Sequence, residues 1–184
     1  MKPVDGIYRT MCPTFPRSGH RVVVQVLRGY FGDRFHYTEI YVKPDQGLDK
    51  NPNCNFQKEH DFDLKVPVRG SRLHLVQIRN PFDAIPGLAA MKVRQQSIPP
   101  DWNKWYRDQA VYWSGFVSKW VYRPVPNRMV LPYERMLEDP FDVFINVIKF
   151  ITKSDTVDRG KLTHVLAQVE IKPQGNKRPP YQMA

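Results

Sequence analysis

The chain has 184 residues, a length that suits one domain able to bury a sizeable core. Its apolar fraction of 41% and aromatic fraction of 12% exclude an intrinsically disordered chain. The formal net charge of +10 predicts an anionic partner, which nucleic acid, an acidic polysaccharide or a polyanionic nucleotide would each satisfy. The basic residues are dispersed rather than grouped in one block, which argues against nucleic acid.

The cysteines and the apolar runs indicate a compartment. Cys12 and Cys54 are too few for a disulfide framework, and with no CxxC pair they do not suggest a zinc site. The first ten residues lack the apolar stretch of a signal peptide, and no run approaches ~20 apolar residues. We therefore expect a cytoplasmic protein that binds no membrane.

Strand and helix patterns alternate along the chain and predict a three-layer α/β fold, with a mostly parallel central sheet flanked by helices. A first strand is predicted over Ile7 to Met11, and helical spacing follows from Val23 to Phe31. A second strand is predicted over Tyr37 to Val42, followed by a polar loop from Lys43 to Asn55. The strongest strand pattern is Leu73 to Ile78, an apolar run bounded by turn residues.

The second half of the chain is predicted to be mainly helical. Asn80 can cap a helix with Pro81 at its first position, and Pro86 with Gly87 then predicts a kink or a late start. A long helix over Asp101 to Val121 carries an aromatic stripe, which we interpret first as core and alternatively as the lining of a cleft. The remaining elements are a strand and two helices: Met129–Leu131, Asp139–Ile151 and Leu162–Val169.

The segment from Thr14 to Arg21 joins a turn-forming cluster to the start of the first predicted helix. Backbone N–H groups at such a helix start have no internal partner and can bind an anion. Arg17 and Arg21 add positive charge, and Ser18 adds a hydroxyl donor. The alternative is a solvated basic loop. The segment is not a Walker A loop, because its glycine is not followed by Lys and Ser or Thr.

Pro16-Arg17-Ser18-Gly19 resembles the 5′-phosphosulfate loop of the PAPS-dependent sulfotransferases, where Pro-Lys/Arg-Ser-Gly-Thr-Thr follows the first strand. His20 and Arg21 replace the usual threonines, and Val22 stands where many members have a tryptophan against the adenine. Three further segments extend the resemblance in the family's order: Lys58-Glu59-His60, Arg79-Asn80-Pro81-Phe82-Asp83 and Tyr133-Glu134-Arg135.

The resemblance implies the sulfotransferase variant of the P-loop nucleotide hydrolase fold and transfer of a sulfuryl group from PAPS to a hydroxyl, leaving PAP. It implies that His60 is the general base, and that Lys58 and Arg17 stabilise charge on the sulfuryl group and the leaving phosphate. Arg79 would hold the 3′-phosphate of the nucleotide; the alternative for this side chain is an ion pair with a carboxylate such as Asp83. No metal is required by this chemistry.

The resemblance also assigns the remaining contacts of the nucleotide. Tyr133 would approach the adenine, and Glu134 is expected to be a structural partner of a nearby base. Gly87 stands where the family has a serine, so one phosphate contact is missing or comes from elsewhere. A basic stretch at 174–178 is the candidate for the family's closing element. The cofactor-binding residues expected are Pro16, Arg17, Ser18, Gly19, His20, Arg21, Arg79, Gly87 and Tyr133.

Three alternatives to a sulfotransferase stay open. A P-loop-like phosphotransferase or kinase is disfavoured because no clear Mg²⁺-binding aspartate ends a strand. A non-catalytic module could bind nucleic acid or sulfated glycan through its charge. A third possibility is a protein that binds PAP without turnover, which His20, Val22 and Gly87 leave open. For a sulfotransferase, we expect a small-molecule or glycan acceptor and no nucleic acid.

Overall fold

The structure, a computed structural model, describes residues 2–39, 51–68 and 70–171. Within these ranges five strands form the central sheet: β1 (Thr10–Pro13), β2 (Tyr37–Glu39), β3 (Phe56–Glu59), β4 (Leu73–Ile78) and β5 (Arg128–Pro132). The helices are α1 (His20–Phe31), α2 (Pro81–Arg94), α3 (Trp102–Val117, continued by a π-helical turn over Ser118–Tyr122), α4 (Tyr133–Glu138), α5 (Pro140–Thr152) and α6 (Arg159–Gln168). No helix in these ranges has the length and apolar character needed to cross a bilayer.

The sheet has the order β2-β3-β1-β4-β5, and every neighbouring pair is parallel. The chain leaves β1 into α1 and leaves β4 into α2, and these two helices pack on opposite faces. Where adjacent strands send their connections to opposite faces, a crevice opens beyond the carboxyl ends of the strands. The loop after β1 borders that crevice, and Arg79 after β4 lies behind this loop.

Two apolar clusters fill the layers on either side of the sheet. One packs α1, α5 and α6 against the sheet, with Leu27 and Phe144 fully buried. The other packs α2 and α3 on the opposite face, with Phe15 and Phe116 fully buried. Each such side chain contributes about 1.5–3 kcal/mol on burial. The predicted three-layer α/β fold is therefore confirmed.

Side-chain caps fix where most of the longer helices begin. An amide in the first turn of α2, α3, α5 and α6 donates to a capping side chain, respectively Asn80, Asp101, Asp139 and Asp158. Helix α1 differs, because its N-cap is Gly19 and no side chain caps it. Its first amides are therefore left for another partner.

The start of β1 differs from the prediction. The strand begins at Thr10, because the preceding residues form a tight turn in which Val4 and Ile7 exchange backbone hydrogen bonds of 2.8 and 2.9 Å. Asp5 and Gly6 at the centre of this turn have φ values of 51° and 79°. Ile7 is still fully buried, so its apolar character reflected the core rather than a strand.

Of the two alternatives predicted for α2, a kink or a late start, the late start is wrong. The helix begins at Pro81 and runs through Pro86 to Arg94. Pro86 lacks the N–H that would bond the carbonyl of Phe82, and Phe82 lies at the exposed first turn, where water can replace that bond. The polar loop up to residue 50, the end of the second predicted strand at 40–42, and the basic stretch at 174–178 lie outside the described residues.

The aromatic stripe of α3 divides into two halves. Phe116 and Trp120 are buried, as expected for core. Trp102 and Trp105 are half-buried and meet edge to face with ring centroids 5.4 Å apart. The core interpretation therefore holds for the second half of the helix, while the first half lies near the surface.

Helices α1 and α6 pack closely at Gly29, where a Cβ atom would lie 2.9 Å from Cγ1 of Val165. We expect Gly29→Ala to destabilise the protein by about 1–3 kcal/mol, because the added methyl group overpacks this seam. In a Val165→Ala background the same substitution should be neutral or stabilising, because alanine is about 1 kcal/mol better than glycine inside a helix.

Urea unfolding of the four proteins in this double-mutant cycle measures the coupling. Equal effects of Gly29→Ala in both backgrounds would contradict the close approach.

Candidate functional site

A cleft of about 1000 Å³ lies beyond the carboxyl ends of the strands. It brings together most of the side chains predicted from sequence: Pro16, Arg17, Ser18, Gly19, His20, Arg21, Lys58, His60 and Tyr133. Arg79 and Gly87 lie directly behind Arg17 rather than in the lining. Nη1 of Arg79 donates to the Arg17 carbonyl at 3.3 Å, and a Cβ atom on Gly87 would lie 3.7 Å from Nε of Arg17.

Two left-handed residues shape the loop after β1. Arg17 has a φ of 70° and Gly19 a φ of 78°, and for a non-glycine residue this conformation costs about 1–3 kcal/mol. Gly19 is needed for a second reason, because a Cβ atom there would lie 2.4 Å from Cδ2 of Tyr133. The Ser18 amide donates to the Phe15 carbonyl at 3.2 Å. The loop therefore curls over the uncapped start of α1, as an anion-binding loop does.

Arg79 anchors this loop from the end of β4. Its guanidinium lies 4.5 Å from the centroid of the Tyr133 ring, and the residue is only 5% exposed. The alternative ion pair with Asp83 is not among those formed by the described residues. Glu134, expected to partner a base, instead accepts from the Asn80 amide at 2.9 Å.

The charges around Arg17 favour a polyanionic ligand. Burial lowers the pKa of Arg17, and the positive charges of Arg94 and Arg79 lower it further. Two buried atoms near this cluster, Oγ of Ser18 and Nε of Arg79, have no hydrogen-bond partner within the described ranges. Mutually repelling guanidinium groups and unsatisfied donors suit a ligand that carries several negative charges.

His60 is oriented by the strand next to it. The parallel register pairs Cys12 with Lys58, so two residues further along His60 lies opposite Thr14. Nδ1–H of His60 donates to the Thr14 carbonyl at 2.7 Å, which leaves Nε2 as the acceptor. The Tyr112 hydroxyl also donates to the backbone carbonyl of His60. Burial lowers the pKa of His60 below 6.5, and the charge of Lys58 lowers it further, so the ring is neutral at pH 7.

A buried ion pair supports the residue after His60. Asp61 has a φ of 50°, and its Oδ2 lies 2.8 Å from Nζ of Lys119 and accepts from Nε1 of Trp120 at 2.5 Å. Lys119 also donates to the Val66 carbonyl at 2.7 Å. The π-helical turn brings Lys119 and Trp120 inward together, and such turns are frequent at functional sites.

The side chain of His20 turns away from the anion loop. Its Nδ1 lies 2.5 Å from Oε1 of Gln77, and its Nε2 lies 3.0 Å from the Tyr37 hydroxyl. Because both ring nitrogens are engaged, a phosphate contact at this position would come from the backbone N–H. Below the ring lies Cys12, whose pKa burial raises to about 12.

Several residues that shape the site carried no sequence signal. Thr14 acts through its carbonyl, and Tyr112, Gln77 and Tyr37 come from segments distant in sequence. Nothing in a single sequence marks such partners, because their contacts depend on strand register and helix placement. Only Arg94, seven residues after Gly87, follows from helical spacing once the helix is known.

Comparison with known proteins adds evidence on the fold. No family model and no curated protein matches this chain. A solved structure of mouse sulfotransferase SULT7A1 complexed with PAP matches with a TM-score of 0.58 at 14% identity. The chain has a sulfotransferase fold. The match covers 89% of this chain and 64% of the mouse protein, so the chain spans less than two thirds of that neighbour's length.

Removing Lys119 should destabilise the protein strongly. Lys119→Met leaves the Asp61 carboxylate buried with a single partner, at a cost of about 3–5 kcal/mol. As a matched control, Lys104→Met breaks an exposed pair with Asp108 and should cost less than about 1 kcal/mol. Urea denaturation measures both, and similar small losses would show that the Asp61 pair contributes little.

Proposed function

We propose that this protein is a sulfotransferase that moves a sulfuryl group from PAPS to an acceptor hydroxyl, with His60 as general base. The observation that carries the proposal is the meeting of the arginine-bearing loop, Lys58 and the neutral His60 in one cleft. The fold shared with a PAP-complexed sulfotransferase supports it. A small-molecule or glycan acceptor is part of the proposal.

Each group has a role that follows from its surroundings. Arg17, Ser18 and the first amides of α1 bind the phosphosulfate, and Arg79 binds the 3′-phosphate from behind the loop. Gly87 offers no hydroxyl there. PAPS supplies the sulfuryl group and, in its 5′-phosphate, the leaving group. Tyr133 forms part of the cleft wall beside the nucleotide.

The proton of the acceptor moves to Nε2 of His60, the nitrogen that carries no hydrogen. The acceptor oxygen bonds to sulfur as the bond between sulfur and the phosphate oxygen breaks, and the electron pair leaves with that phosphate oxygen. Lys58 and Arg17 stabilise the negative charge that develops on these oxygens. The Thr14 carbonyl favours the protonated ring, because it accepts from Nδ1–H throughout.

Binding of PAP is the first test. PAP should raise the melting temperature in a concentration-dependent way. Arg17→Ala and Arg79→Ala should each weaken binding about 10- to 100-fold, because each removes charged hydrogen bonds to phosphate. Arg34→Ala is the control, since Arg34 follows the far end of α1 and carries the same charge. Calorimetry gives the dissociation constants.

The comparison ligand is ATP with Mg²⁺. Binding of ATP·Mg²⁺ but not PAP would replace the proposal with a phosphotransferase. Binding of neither nucleotide, together with salt-sensitive binding to heparin or DNA, would leave a basic binding module.

His60 sets the pH dependence of turnover. His60→Asn, whose amide can still donate to the Thr14 carbonyl, should lower kcat about 10²- to 10⁴-fold and leave the Kd of PAP unchanged. Because the pKa of His60 is lowered in the fold, kcat/KM should fall only as the pH drops below 6.5. Lys58→Met removes a charge that lowers this pKa, so its acid limb should move to higher pH.

Transfer from radiolabelled PAPS to a panel of phenols, sugars and sterols measures these rates. Full activity of His60→Asn would remove His60 from the mechanism. Tight PAP binding with no transfer to any acceptor would indicate a protein that binds PAP without turnover.

A further inference from the structure

A chain of polar contacts runs from the core of the sheet to the cleft. It begins at Gln77 on β4, passes through His20 at the start of α1, and continues to Tyr37 on β2. The Tyr37 hydroxyl donates to Oε1 of Glu39 at 2.5 Å, and Oε2 of the same carboxylate lies 3.5 Å from Nζ of Lys58. Two strands and a helix are thus linked to one cleft lysine on β3.

The buried end of this chain holds the His20 ring from both sides. Burial lowers the pKa of His20 to about 3, so the ring is neutral at pH 7. Its Nδ1 faces Oε1 of Gln77, an oxygen that also accepts from Oγ1 of Thr14 at 3.1 Å, and its Nε2 contacts the Tyr37 hydroxyl. Tyr37 in turn donates its hydroxyl proton to the Glu39 carboxylate.

The far end of the chain is the Glu39 carboxylate. One of its oxygens accepts a hydrogen bond from the Tyr37 hydroxyl, and the other faces Nζ of Lys58. The side chain of Lys58 is 12% exposed, whereas that of Glu39 is 39% exposed. An exposed carboxylate on its own would leave Lys58 free to turn toward water. A carboxylate held by a half-buried tyrosine, itself in contact with a buried histidine, keeps the ammonium group at the cleft.

The Glu39 carboxylate also affects the pKa of His60, the proposed general base. Both Glu39 and Lys58 lie close enough to His60 to affect its pKa, Glu39 raising it and Lys58 lowering it. Glu39 therefore offsets part of the lowering of the His60 pKa that Lys58 causes.

We propose that Tyr37 and Glu39 are positioning residues that hold Lys58 at the sulfuryl-transfer site, with His20 and Gln77 as their buried support. The proposal rests on the proposed function for the role of Lys58. The geometry of the network stands without it. Tyr37 and Glu39 touch neither nucleotide nor acceptor in this account, so their effect on turnover is transmitted through Lys58.

The test uses variants that remove one link without changing shape. Tyr37→Phe deletes only the hydroxyl, and Glu39→Gln deletes only the charge. Tyr30→Phe is the matched control, because it also removes a tyrosine hydroxyl that forms a hydrogen bond. That hydroxyl accepts from the Asp158 amide at 2.8 Å. Reductive methylation followed by mass spectrometry gives the rate at Lys58, and NMR titration gives the pKa of His60.

In Tyr37→Phe and Glu39→Gln, Lys58 should be methylated about two- to fivefold faster, the factor expected for a lost, partly exposed ion pair. Tyr30→Phe should leave the rate unchanged. Glu39→Gln should also lower the pKa of His60, because a charge that raises it is gone. Once an acceptor is identified, kcat of Tyr37→Phe and Glu39→Gln should be about 10- to 100-fold lower than that of the wild type, while the Kd of PAP stays constant.

The two hypotheses fail separately. Unchanged Lys58 rates in both variants would overturn the positioning role, whatever PAP does. A wild-type protein that does not bind PAP, but whose Lys58 responds to Tyr37→Phe, would overturn the sulfotransferase proposal and leave the network intact. A change in Tyr30→Phe equal to that in Tyr37→Phe would show a general loosening and would also overturn the positioning role.

Discussion

The geometry of the cleft depends on one stack of three residues from different parts of the chain. The Arg79 guanidinium lies over the Tyr133 ring, and the edge of that ring presses on Gly19. The stack joins the ends of β4 and β5 to the loop after β1, three strands that the sheet order makes neighbours. It leaves no space for a side chain at Gly19, whose backbone is left-handed. The loop is therefore packed against residues at the ends of β4 and β5.

The charges of the site are divided between its two sides. On the side of the loop, Arg17 and Arg79 face each other and Arg94, and burial adds to the repulsion. On the side of His60, two lysines form ion pairs with carboxylates: Lys58 pairs with Glu39, and Lys119 pairs with Asp61. One side is thus arranged to receive negative charge, and the other has its charges already compensated. This division suits a reaction in which an anion is held while a neutral base accepts a proton.

The parts of the fold that depend on local chemistry were predictable. Leu73–Ile78 is a strand as its apolar run indicated, and Asn80 caps a helix as its position before Pro81 indicated. The start of β1 was not, because the burial of Ile7 mimics a strand pattern. The motifs predicted several residues that line the cleft. Arg17 follows β1, Lys58 lies near the end of β3, and His60 follows β3.

The rest required the tertiary structure. The inward turn of His20 depends on Gln77, which is 57 positions away along the chain. Tyr112 and Lys119 reach the segment around His60 only because α3 packs on that face of the sheet. The spacing of residues within a helix does not show which residues of other elements they contact.

The burial of Cys12 has a consequence for the durability of the site. Peroxides and electrophiles attack the thiolate form of cysteine, and a thiol whose pKa is raised to about 12 is protonated at any physiological pH. Cys12 is also fully buried beneath the loop. Oxidative stress, which inactivates proteins with exposed low-pKa cysteines, should therefore leave the floor of this anion loop chemically unchanged.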